Sequence, residues 1–344
     1  MLKKLMVVIV ALMMALNSAS CASKPENNRY EAEFLTLFDT VTRIVGYAES
    51  KEAFTDQAQF VHDSLEEYHQ LYDIYNDYEG INNVKTINEQ AGKAPVKVDP
   101  RIIDLLLFSK ESYELTDGQL NVAMGAVLKI WHDYRTEGID NPEKAKLPAV
   151  EQLEEAAKHA DINKVIIDKE NSTVFLADPE MSLDVGGVAK GYATEQVAQL
   201  AAQHGINSML ISVGGNVRAI GIRGDGTSWR VGVQNPIDQD GANVCDVNLI
   251  DASLVTSGTY ERYYIVDGVK YHHIIDPDTL FPARYFASVT ILCKDSGKAD
   301  ALAKIFNMPY EEGLALIESL PDTEALWVLE DGSLKYSSGF PISD

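Results

Sequence analysis

From Met209 to Cys293 the chain reads as one short extended run after another, and this succession most limits the fold it can adopt. Runs rich in Val, Ile and Thr fall at 209–213, 217–222, 229–234, 244–250, 253–256, 262–266, 269–274 and 287–293. Asp267-Gly268 joins two of them with a hairpin turn signal. Helical patterns occupy 53–72, 122–134, 188–203, 298–306 and 311–318. A further helix starts at Asp99-Pro100, with Pro tolerated in the first turn, and ends at Thr116-Asp117-Gly118. A strand over 34–47, a hairpin of 165–167 with 173–176, and a tail hairpin around Asp331-Gly332 complete the pattern. Helices and strands intermix without strict βαβ alternation. The predicted class is α+β, with a large, mostly antiparallel sheet flanked by helices.

The N-terminus reads as an export signal. Lys3 and Lys4 precede an apolar run from Leu5 to Leu16, which is short for a membrane span and suits a signal-peptide core. Ser18-Ala19-Ser20-Cys21 resembles a lipoprotein cleavage site, so lipidation at Cys21 is expected, with plain cleavage as the alternative. The predicted division is a signal peptide over 1–20, a lipidated tether over 21–32 and one domain over 33–344. This places the protein at the extracytoplasmic face of the cell membrane. Two cysteines then remain, Cys245 and Cys293, each in a strand-like run. Two free thiols are expected, a disulfide being the alternative. No Cys/His spacing suggests zinc.

Net charge is −23. Such a surface repels nucleic acid, so no nucleic-acid partner is expected. An anionic ligand would need local positive groups or a metal ion.

Four segments carry candidate chemistry. In D-V-G-G-V-A-K-G, a short strand ends at Asp184, two glycines follow, and a helix begins. Gly186 and Gly187 admit close approach, the new helix offers unpaired N–H groups, and Lys190 adds a charge one turn in. A phosphate fits there; a turn chosen only for packing is the alternative. In S-V-G-G-N, Gly214 and Gly215 permit either ligand approach or a β-bulge. In Y-H-H-I-I-D-P, His272 and His273 face opposite ways along a strand. His273 is a candidate general base and Asp276 a second, a structural histidine being the alternative. In S-G-K-A-D-A-L-A-K, Asp300 is either a ligand for a hard cation or a solvated residue near a helix start.

Taken in order, these segments closely resemble the ApbE family, the FAD:protein FMN transferases. The resemblance rests on F-D-T-V-T at 38–42, N-D-Y at 76–78, I-N at 87–88, D-G-Q-L-N-V at 117–122, D-V-G-G-V-A-K-G-Y-A at 184–193, S-V-G-G-N at 212–216, V-T-S-G-T-Y-E-R at 255–262, H-H-I-I-D-P-D-T at 272–279 and A-D-A-L at 299–302. It implies a single ApbE-like, T-fold-like domain that binds FAD and Mg²⁺. It implies transfer of FMN to a Thr or Ser hydroxyl of an acceptor, such as a redox-pump subunit, with release of AMP. Hydrolysis of FAD to FMN and AMP, or flavin binding without turnover, are the alternatives.

Position by position, the resemblance puts Phe38 and Tyr78 against the flavin or adenine rings. It assigns Gln119, Leu120, Asn121, Asp184, Lys190, His273 and Ile275 to FAD, with Thr256, Ser257 and Gly258 as a further lining. It assigns Mg²⁺ to the Gly187 carbonyl and the Asp300 carboxylate. One departure bears on the metal. The family follows A-D-A-L with Ser-Thr, the Thr helping to bind the cation, whereas this chain has Ala303-Lys304. That exchange implies a lost ligand and an ammonium near the site.

Overall fold

Eight antiparallel strands, in the order in which the chain makes them, form the central sheet of the computed structural model. They are Asn28–Phe34, Thr42–Ala48, Ser208–Val213, Asn216–Gly221, Ser253–Gly258, Ser288–Cys293, Glu324–Val328 and Leu334–Tyr336. The structure describes residues 28–35, 37–238 and 240–341. The expected signal peptide and Cys21 lie outside the described residues.

Side chains alternate across each strand, so one strand feeds two cores. Met209, Ile211 and Val213 point into the core beneath the long helices Lys51–Tyr72, Pro100–Leu115 and Ala189–Gln203. Leu210 points to the opposite face, where Trp229, Val247 and Leu249 of the hairpin Trp229–Val233 with Cys245–Leu249 cover the sheet. Burying each such aliphatic side chain contributes about 1.5–3 kcal/mol. The mixed architecture and the antiparallel sheet agree with the α+β expectation.

The differences are local. The strand expected over 34–47 is two strands, Asn28–Phe34 and Thr42–Ala48, paired antiparallel. Phe38 and Asp39 break it, with φ of 54° and 52° in the left-handed region. The first of these strands also draws residues 28–32, expected to belong to the tether, into the sheet edge. Gly214 and Gly215 form no bulge. They are the two-residue turn between Val213 and Asn216, which pair across it, and both have positive φ (50° and 91°). The helix expected over 122–134 runs Gly125–Asp140. The helix expected over 298–306 is Ser296–Leu302, followed by a tighter turn over Ala303–Asn307. The short helices Val84–Glu89 and Val150–Ala157 lacked a pattern long enough to identify. Cys245 and Cys293 are free, as expected.

One close approach sets the site. The helix Ala189–Gln203 crosses Ser296–Leu302 at Gly191, where a Cβ would lie 2.3 Å from Asp300 Cβ and 2.4 Å from the Ser296 carbonyl oxygen. Only glycine lets the two helix starts meet there.

Candidate functional site

A cleft of about 360 Å³ opens at one end of the sheet. The D-V-G-G-V-A-K-G turn forms its floor. Asp184 N–H donates to the Val122 carbonyl at 2.8 Å, which fastens the strand end to the 119–121 segment. The Asp184 carboxylate accepts from Gly186 N–H at 2.8 Å and so shapes the turn. Burial pushes the Asp184 carboxyl above its usual range.

The helix Ala189–Gln203 then points its N-terminus at the cleft, and Val188 offers it no side-chain cap. Asp300 does so instead: its Oδ2 accepts from Gly191 N–H at 2.8 Å. Asp300 is 3% exposed, so it is no solvated helix-start residue.

Most of the residues singled out by sequence line this cleft, Gly186, Gly214, Ser257 and Gly258 among them. Phe38, Gln119, Leu120, Asn121 and Thr256 lie on its walls. Asp184, Gly187, Lys190, His273, Ile275 and Asp300 surround the turn. Phe38 sits on the strained turn over Leu37–Asp39 and packs edge-on to His69, 5.4 Å between centroids. Asn121 is occupied within the chain, donating to the Ala160 carbonyl and accepting from Ala123 N–H, both at 2.9 Å. Gln119 Oε1 is buried and without a partner.

Two expected residues are not in the cleft. Tyr78 lies behind it and donates to Asp73 at 2.8 Å; Asp73 and His69 reach the cleft in its place. Asp276 is buried and holds its own turn, accepting from Asp278 N–H at 2.8 Å and Thr279 Oγ1 at 3.0 Å. With both oxygens engaged there, it is no candidate base.

The adjacent histidines divide as a strand requires. His272 is 6% exposed and donates through Nε2 to the Ala283 carbonyl at 2.7 Å, while Nδ1 accepts from Ile274 N–H at 3.2 Å. His273 faces the cleft, with Nδ1 donating to the Arg262 carbonyl at 3.3 Å. That bond leaves Nε2 as the basic nitrogen. Burial, with Lys304, Arg262 and Arg135 nearby, holds His273 well below the usual histidine range.

Burial likewise lowers His272 to about 4. A histidine kept neutral in the fold stabilises it above pH 6.5 and loses that contribution as pH falls toward 4. We expect acidification across this window to cost the wild type about 3 kcal/mol more than His272→Gln. Urea unfolding at several pH values measures it, and parallel curves for the two proteins would refute it.

Sequence reading missed the basic side chains of the far wall. Arg135 and His132, on the helix Gly125–Asp140, and Arg262 all line the cleft. Burial, then Arg262, lowers Arg135. With Lys190 and Lys304 the two arginines place positive charge among the carboxylates of Asp39, Asp73, Asp184, Glu261 and Asp300 that line the same cleft. Those cations are the local positive groups that an anionic ligand needs.

The donor set does not suit a resident Mg²⁺. Mg²⁺ needs near-octahedral oxygen ligands. Asp300 Oδ2 is already engaged by a backbone N–H. Lys304 rests against Gly187, its Cε 3.0 Å and its Nζ 3.4 Å from where a Cβ on that glycine would lie. Two unit charges 4 Å apart repel by about 4 kcal/mol at an effective dielectric near 20, and a dication doubles that.

The sequence pattern of the ApbE family matches residues 38–327. The FAD:protein FMN transferase of Treponema pallidum is 34% identical over 339 residues, covering 93% of this chain and 90% of that protein. One from Klebsiella pneumoniae is 31% identical, covering 78% and 83%. Among solved structures, the ApbE protein of Thermotoga maritima superposes with a TM-score of 0.79 at 32% identity, covering 91% of this chain and 98% of that one. The flavin transferase ApbE of Vibrio cholerae gives 0.73 at 26% identity, covering 91% and 99%. The chain belongs to the ApbE family.

Proposed function

We propose that this protein is an FAD:protein FMN transferase, moving FMN from FAD to a Thr or Ser hydroxyl of an acceptor protein and releasing AMP. The observation that carries the reading is the meeting of the helix start at Ala189, the side chains of Lys190 and Lys304, and a neutral His273 in one cleft. Relatives that align with most of this chain bear that activity as their name.

The diphosphate would lie over Gly186 and Gly187 at the helix start, its charge met by Lys190, Lys304 and the positive end of the helix dipole. The acceptor oxygen forms a bond to the FMN phosphorus. The bond from that phosphorus to the bridging oxygen breaks, and AMP leaves with the electron pair. His273 Nε2 takes the hydroxyl proton. Catalysis of this kind rests on positioning and charge neutralisation. A resident Mg²⁺ was implied by the family resemblance, but Lys304 and the engaged Asp300 argue against one, and no step here uses it.

The reading also places the protein at the extracytoplasmic face, anchored through lipid at Cys21. Lys3, Lys4 and the apolar run to Leu16 support this. No helix among the described residues is long and apolar enough to cross a membrane.

Purified protein, FAD and a flavin-carrier domain are expected to yield an acceptor heavier by one FMN unit and an equal amount of AMP, read by mass spectrometry and chromatography. AMP without labelled acceptor, across several acceptors and with or without Mg²⁺, would identify a pyrophosphatase and overturn the proposal.

A further inference from the structure

Lys304 has no ion pair within 4.0 Å and no hydrogen bond among the described residues. Its aliphatic stem lies against Gly187, and its side chain lines the same cleft as Lys190 and His273. The carboxylates of Asp300 and Asp184 attract it and the ammonium of Lys190 repels it. An ammonium sheltered from solvent without a hydrogen-bonding partner is costly unless a ligand supplies one. The position it faces is the helix start, where the dipole favours an anion. Asp300, held in place by Gly191 N–H, fixes the other side of that position.

We propose that the Lys304 ammonium is the resident cation of the diphosphate site and serves in place of a divalent metal. Its three N–H donors reach phosphate oxygens as a point charge, without the octahedral oxygen cage that Mg²⁺ demands. Lys190 approaches from the first turn of the helix and Lys304 from the turn over Ala303–Asn307, so the two cations flank the phosphates from different elements. Two lysines that would repel across an empty cleft become compatible once a dianion lies between them. Tight flavin binding then needs no added metal.

This inference rests on the flavin reading of the cleft, and the test separates the two. FAD affinity is measured by quenching of flavin fluorescence, in EDTA and in millimolar Mg²⁺. For the wild type we expect the dissociation constant to change by less than about threefold between the two conditions. Lys304→Gln is expected to lose about tenfold or more in EDTA, the loss of one charge-assisted hydrogen bond. Lys304→Thr, which removes the ammonium and restores an oxygen, is expected to lose as much in EDTA and to regain most of it in Mg²⁺. Lys304→Arg is expected to keep the metal-independent binding, and thermal melts establish that each variant is folded. A wild-type affinity that rises about tenfold with Mg²⁺, or folded Lys304→Gln and Lys304→Thr that bind like wild type in EDTA, would overturn the inference and leave the flavin reading standing. No FAD binding by the wild type in either condition would remove both.

Discussion

Replacing His273 with Asn is expected to slow FMN transfer by about 10²- to 10⁴-fold while the FAD dissociation constant stays within about threefold. The argument is geometric first. Nδ1 is committed to the Arg262 carbonyl at 3.3 Å, which leaves Nε2 unprotonated, and the ring lines the cleft beside Gly187 and Lys304. Its protonation state then follows from its surroundings. Burial, Lys304, Arg262 and Arg135 all disfavour the imidazolium, so the ring is neutral at pH 7 and can accept a proton. A base held below its ordinary pKa stays active to lower pH. The acid limb of kcat/KM is therefore expected well below 6.5 in wild type. Single-turnover labelling of an acceptor, with FAD affinity measured separately, checks both statements. A His273→Asn protein that still transfers within about tenfold of wild type would remove this residue as the base.

The legible parts of the site were those whose backbone requirements show in residue type. Gly186-Gly187 before a helix marked a place of close approach, whereas Gly214-Gly215, expected to be a ligand approach or a bulge, is a hairpin turn with both residues at positive φ. Lys190 followed from its place one turn into that helix. The basic residues on the helix Gly125–Asp140 were not legible. His132 and Arg135 are polar residues on an amphipathic helix, and nothing in their spacing distinguishes a cleft wall from a solvated face until the sheet is assembled. The run 34–47 misled for the opposite reason. Its Thr, Val and Leu content is that of a strand, and propensity carries no sign of two consecutive left-handed residues at Phe38 and Asp39. Asp276 was plausible by type and Tyr78 was assigned by the resemblance, yet local turn hydrogen bonds hold the one and Asp73 holds the other outside the cleft.

Glu195 carried no motif, yet its replacement by Ala is expected to cost about 3–5 kcal/mol, a large share of the stability of an ordinary domain. It sits in the middle of Ala189–Gln203 with 4% exposure, facing Arg218, itself 8% exposed, on the strand Asn216–Gly221. Glu195 Oε2 accepts from Arg218 Nε at 3.0 Å and from Ser296 N–H at 2.9 Å. One carboxylate thus ties the phosphate-facing helix to the sheet and to the start of the helix that carries Asp300. Removing it takes the buried counter-charge from the guanidinium, whose other partners are the neutral Ala219 carbonyl and Asp251, at 3.1 Å and largely exposed. It also strands the Ser296 N–H. The double replacement Glu195→Leu with Arg218→Met removes both charges and is expected to cost clearly less than Glu195→Ala alone. Urea unfolding of the two single variants and the double gives the coupling. A Glu195→Ala protein destabilised by less than about 1 kcal/mol would show that the pair is solvent-compensated and that the site is positioned by packing at Gly191 alone. If the network positions Asp300 as the geometry states, folded Glu195→Gln is expected to weaken FAD binding as well, through a residue that never touches the ligand.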